Sequence, residues 1–137
     1  MKRSILLVTV CCLVFVPLAR AAAPRYMFVS GPGLAQPVLF RNWSENGLFL
    51  SALVNAPRSH ASLKHRPRFR LSLFWQRTAS PVPTDPRKGN QFGWFYPAHG
   101  SRAAVVLLYA DLTDRAPEVA PARDLAILAR HGVPTRL

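Results

Sequence analysis

Strict alternation is clearest at residues 68–75. Phe69, Leu71, Leu73 and Trp75 take one face of an extended segment, and Arg68, Arg70, Ser72 and Phe74 take the other. Successive strand side chains point to opposite sides of a sheet, so the pattern predicts a strand from Arg68 to Trp75 with one buried and one wet face. Shorter β-rich runs predict strands at Arg25–Ser30, Pro37–Arg41 and Gln91–Tyr96. Gly31-Pro32-Gly33 separates the first two as a turn, because Pro fixes φ and Gly tolerates positive φ. Ala103–Tyr109 is continuously apolar, which predicts a central strand buried on both faces, in a hairpin with Gln91–Tyr96 across residues 97–102.

The helical period shows twice. Asn42 stands three residues before Glu45, the spacing of a capping box, and Trp43, Phe49, Leu50, Leu53 and Val54 follow as an apolar stripe. Gly47 opposes that helix by about 1 kcal/mol relative to Ala, and Pro57 bounds it. The second helix spans Pro121–His131, with Asp124 in its first turn, a stripe of Leu125, Leu128 and Ala129, and Gly132 at its C-terminal cap. Residues 55–67, 77–89 and 111–120 read as loops, the middle one carrying Pro81, Pro83 and Pro86. The order β-β-α-β-β-β-α predicts an α+β fold, a mainly antiparallel sheet of about five strands with two helices.

Ahead of this pattern lies an apolar stretch of a different kind. Lys2 and Arg3 precede the run Ile5–Val16, Pro17 breaks it, and Ala19-Arg20-Ala21 supplies small residues. That is the layout of a secretory signal peptide cut after Ala21, which makes residues 1–21 the leader and residues 22–137 a single compact domain, secreted or periplasmic. The alternative is an N-terminal membrane anchor. It is disfavoured because 16 uncharged residues lie between Arg3 and Arg20 and a spanning helix needs about 20. Cleavage would also remove Cys11 and Cys12, leaving a fold without disulfides, thiol catalysis or thiolate metal sites.

The charge is strongly positive, +12 for the whole chain, and +9 once Lys2, Arg3 and Arg20 leave with the leader. An excess of this size favours an anionic partner: a polymer, a lipid surface or an acidic protein. Nothing in the chain forms a specific nucleic-acid motif. Between Glu45 and Asp85 lie 39 residues without an acid. Within them, Arg58, Lys64, Arg66, Arg68, Arg70 and Arg77 are the candidate anion-binding residues. Arg68 and Arg70 share one strand face about 7 Å apart, which suits successive phosphates, sulfates or carboxylates. Phe74, exposed on that same face, is the candidate stacking residue. The competing explanation is a charged wet face that protects an edge strand from aggregation. A third possibility is a structural or protein-interaction domain whose charge is incidental.

Two motifs carry a resemblance. Gly31-Pro32-Gly33-Leu34 followed by Pro37-Val38, and Phe95-Tyr96-Pro97 before an apolar strand, resemble small exported bacterial proteins of unknown function. The likeness covers about a quarter of the chain and implies export and a compact fold, without an activity.

Other chemistry is sparse. The cluster Phe92, Trp94, Phe95 and Tyr96 reads as core, with Gly93 marking close packing or a bulge. His60 and His65 have no neighbouring carboxylate, so no metal site is predicted. The chain lacks a G-x-S-x-G elbow, an H-E-x-x-H helix and an S-x-x-K motif, so no catalytic residue and no cofactor are expected. A small hydrolase remains a further alternative, and it would need a concave site around His99, Ser101 or Asp111.

Overall fold

A computed structural model describes residues 23–75 and 81–137. The expected leader, with its predicted cleavage site at Ala21, lies outside the described residues, as does Arg77. The fold is α+β: a six-stranded antiparallel sheet with two helices on one side. In chain order the elements are β1 (Tyr26–Ser30), β2 (Val38–Phe40), α1 (Trp43–Leu53), β3 (Phe69–Phe74), β4 (Gln91–Tyr96), β5 (Val105–Leu107), β6 (Glu118–Val119) and α2 (Ala122–Arg130). Across the sheet they run β2-β1-β3-β4-β5-β6. No described helix is long and apolar enough to cross a membrane.

α1 begins at a side-chain cap, whereas α2 starts at Pro121 without one. Asn42 Oδ1 accepts the Glu45 N–H at 3.1 Å and caps α1. Glu45 does not complete the box. Its carboxylate instead takes the Arg130 guanidinium and, at 2.9 Å, His131 Nε2, tying α1 to the end of α2. Gly47, a weak helix former, lies where the chain entering β1 crosses α1. A Cβ there would meet the Ala23 Cβ at 3.2 Å. Buried Asn46 holds the same crossing, its Nδ2 donating to the carbonyls of Pro24, Arg25 and Phe40. Gly132 ends α2 at φ 79, with the Val133 N–H returning to Leu128 O at 3.0 Å.

Met27, Val29, Phe40, Leu71, Leu73, Phe95 and Val106 project from the sheet to meet Phe49 and Leu53 of α1 and Ile127 and Leu128 of α2. The opposite side of the sheet divides in two. Over β1 and the C-terminal half of β3, the segment from Pro81 to Asn90 folds back and covers Tyr26, Phe28, Ser72 and Phe74. It is anchored by the Asn90 N–H on Leu73 O and by Asn90 Oδ1 accepting the Trp75 N–H, both at 2.8 Å. Over the other half of β3 and over β4 the face stays open.

Three expectations are corrected here. β3 is not an edge strand but the middle of the sheet, between β1 and β4, and its polar face is wet only over Arg68 and Arg70 while Ser72 and Phe74 are buried. The run at 103–109 forms only a three-residue strand, and it lies next to the edge, covered by β6. The loop at 111–120 contains that sixth strand, which residues 57–59 extend through the Arg58–Glu118 bridge.

Gly93 explains how β5 ends. Trp94 pairs with Leu107, yet the next strand bond runs from the Ala110 N–H to Phe92 O at 2.8 Å. One extra residue is therefore fitted opposite Gly93, a bulge in which Tyr109 adopts φ 52. A Cβ on Gly93 would stand 2.8 Å from Leu107 O, a backbone atom that no rotamer change can move. Gly93→Ala should accordingly destabilise the protein by about 1–3 kcal/mol, the usual range for overpacking, measured as a lowered urea midpoint.

Candidate anion-binding face

The open half of the sheet is a ladder of arginines on aromatic rings. β3 and β4 pair with Phe69 opposite Phe95 and Arg70 opposite Trp94. Each arginine leans one step along the diagonal instead of lying over its direct partner. Arg70 Cζ sits 4.0 Å from the Phe92 ring centroid, Arg68 Cζ 3.8 Å from Trp94, and Arg66 Cζ 5.9 Å from Tyr96. Diagonal neighbours in an antiparallel pair are within reach of long side chains, and a guanidinium over a ring is worth about 0.5–2 kcal/mol.

This arrangement has two consequences for binding. Stacking holds Arg68 and Arg70 in place before any ligand arrives, so part of the rotamer entropy of a free arginine is already lost. The solvent side of Trp94 and Phe92 is occupied by guanidinium, so the surface offers N–H edges instead of bare rings. Arg70 Nε is buried without a hydrogen-bond partner, and neither Arg68 nor Arg70 forms an ion pair among the described residues. Of the described acids, Glu45 binds Arg130 and His131, Asp85 binds Arg87, and Asp124 is buried in the first turn of α2.

The other sequence candidates do not join this pair. Arg66 is only 8% exposed. Its Nη2 donates to Pro97 O at 2.8 Å and Ala103 O at 2.9 Å, clamping the β4–β5 connection from beneath. Burial, with Arg102 nearby, lowers its pKa from the ordinary arginine value. It is a structural residue because the chain turns inward between Lys64 and Arg68, with His65 at φ 60. Arg58 is exposed but lies beyond β6. Four strand spacings of about 4.8 Å separate it from β3, roughly 19 Å. Lys64 is exposed on the loop leading to β3. Phe74 is corrected outright. At 4% exposure it packs edge-on against Phe28, 5.8 Å between ring centroids, under the Pro81–Asn90 segment, and no ligand can stack on it.

Sequence reasoning missed Phe92 and Trp94 as partners of the arginines by placing them in the core. Phe95 is core, while Phe92 and Trp94 are half-buried on the open face. The alternation in QFGWFY carried the signal, but using it required the β3–β4 register.

Two cavities are described. One is lined from α1 and the β5–β6 connection, the other by residues 74–75 and 81–90, and neither includes His99, Ser101 or Asp111. His99 and Ser101 are exposed on the β4–β5 turn, where His99 Nδ1 lies 3.0 Å from Leu137 O. Among the described residues, no three His, Cys, Asp or Glu side chains gather as a metal site. No protein-family model matches the chain, and no curated protein or solved structure is significantly similar to it.

Proposed function

We propose that this protein is a non-enzymatic binding module for an anionic polymer, gripped by the Arg68–Arg70 shelf. In this reading it works outside the cytoplasm once residues 1–21 are removed. The observation that supports it is the pair of guanidiniums, pre-stacked on Trp94 and Phe92, on an open face where no carboxylate pairs with them. Two arginines two residues apart on one face stand about 7 Å apart, which suits repeated anionic groups on an extended chain. Central placement in the sheet also weakens the edge-protection explanation, since β3 has no free edge to protect.

The test is the salt dependence of binding to heparin and to polyphosphate. Replacing both Arg68 and Arg70 by Gln should flatten the slope of log K against log salt by about 1.5–2, the value for two lost anion contacts. Replacing Arg41 and Arg123, exposed arginines away from the shelf, removes the same charge and should leave the slope within about 0.5 of the parent. Equal losses from the two double variants would mean that net charge alone governs retention. The reading of an interaction domain with incidental charge would then stand.

A further inference from the structure

We infer a second binding site, for a small apolar carboxylate, in the cavity between the last turn of α1 and the bulge that ends β5. The cavity, open to solvent on one side, has a volume of about 190 Å³. Leu50 and Leu53 of α1, with Val54 at its C-cap, form one wall, and Leu108 and Tyr109 form the other. Arg115 and Glu118 stand at its polar end. Val54 leaves 74% of its surface exposed at the rim, an apolar contribution the fold itself does not use.

The site is built by the bulge. Without the extra residue opposite Gly93, Tyr109 would continue the strand. With it, Tyr109 turns at φ 52 and packs against the main core, and the Arg115 guanidinium lies 4.9 Å over its ring. A bulky residue at positive φ is held there by its surroundings, and such strain concentrates at binding sites. Arg115 is thereby fixed at the cavity mouth, exposed and without an ion pair among the described residues.

Charge selects the ligand. Glu118 is the single carboxylate of the lining, and it feels both Arg115 and Arg58. Arg115 and Glu118 balance within the lining, and Arg58, acting on Glu118 from outside it, leaves one guanidinium in excess. Burial also raises the Glu118 pKa, which weakens its repulsion of an incoming anion. A carboxylate would meet Arg115 while its tail displaced water from the leucines. The volume admits a chain of a few carbons, below the size of usual drug-sized pockets. This site is on the opposite side of the sheet from the shelf and stands or falls independently of it.

The test is an amide NMR titration of the full chain with hexanoate and, separately, hexylamine. Hexanoate should give saturable shifts at Ser51, Val54, Leu108, Tyr109 and Ala116, and hexylamine should give none. Arg115→Gln should weaken hexanoate binding about fivefold, the upper end for an exposed ion pair, while amide shifts elsewhere keep the parent pattern. Arg115→Lys, which keeps the charge without the planar fork, should fall between the two. Non-saturating shifts, binding of hexylamine as strong as that of hexanoate, or an unchanged affinity in Arg115→Gln would each overturn the inference.

Discussion

Asp124→Asn should stabilise the protein by roughly 2–4 kcal/mol at pH 8, with the gain shrinking to nothing near pH 4. Asp124 sits in the first turn of α2 with no exposed surface, and neither carboxylate oxygen has a hydrogen-bond partner among the described residues. Burial, with Arg123 opposing and Glu118 adding repulsion, pushes its pKa up to about 7 from the ordinary 3.8. The native state therefore binds one more proton than the unfolded chain between about pH 4 and pH 7. Stability from this group is complete below the unfolded value, declines as pH rises through the native value, and is flat above it. That is the reverse of a salt-bridged carboxylate. A shift of about three units corresponds to about 4 kcal/mol, and water reaching the ionised group would reduce this to about 2. Asparagine keeps the shape of the neutral acid and cannot ionise. Urea unfolding of both proteins at pH 5 and pH 8 measures the effect. Parallel pH profiles for parent and variant would show that Asp124 is not the source.

Arg66→Ala should lower stability by about 2–4 kcal/mol while leaving the anion shelf in place. The loss arises from two acceptors. Pro97 O and Ala103 O both take their hydrogen bond from Arg66 Nη2, and each loses its donor in the variant. A buried acceptor left unmade costs about 1–3 kcal/mol. The guanidinium is itself held at some expense, since Nε and Nη1 have no partner among the described residues and burial lowers its pKa. Arg66→Met, which fills the space without a charge, should therefore recover part of the loss. Hydrogen exchange should rise first at residues 97–103, the turn that the clamp closes. On the folded variant, heparin affinity should fall less than for Arg68→Gln. The opposite order would place Arg66 in the binding face after all.

Much of the fold was legible along the chain because the relevant forces are local. The alternation at 68–75 set which side chains share a face, and Asn42, Pro57 and Gly132 bounded the helices through capping and steric rules that act within a few residues. β6 was not legible. Two residues, Glu118 and Val119, have no period to read, and they are extended only because β5 on one side and residues 57–59 on the other pair with them. The cover over Phe74 was hidden for a similar reason. Alternation tells which way a side chain points but not what a distant segment such as Pro81–Asn90 will lay over it.

The candidate site divides along the same line. That Arg68 and Arg70 project together from one face of a strand, opposite Leu71 and Leu73, follows from the period of two and needs nothing beyond the sequence. That their guanidiniums rest on Trp94 and Phe92, that Arg66 turns inward beside them, and that Arg58 lies four strands away were decided only by tertiary pairing. The reason is the antiparallel register of Phe69 with Phe95, a contact spanning 26 residues that no local preference encodes. A slip of one residue in that register would turn the aromatic rungs to the core side and leave the arginines without their platform.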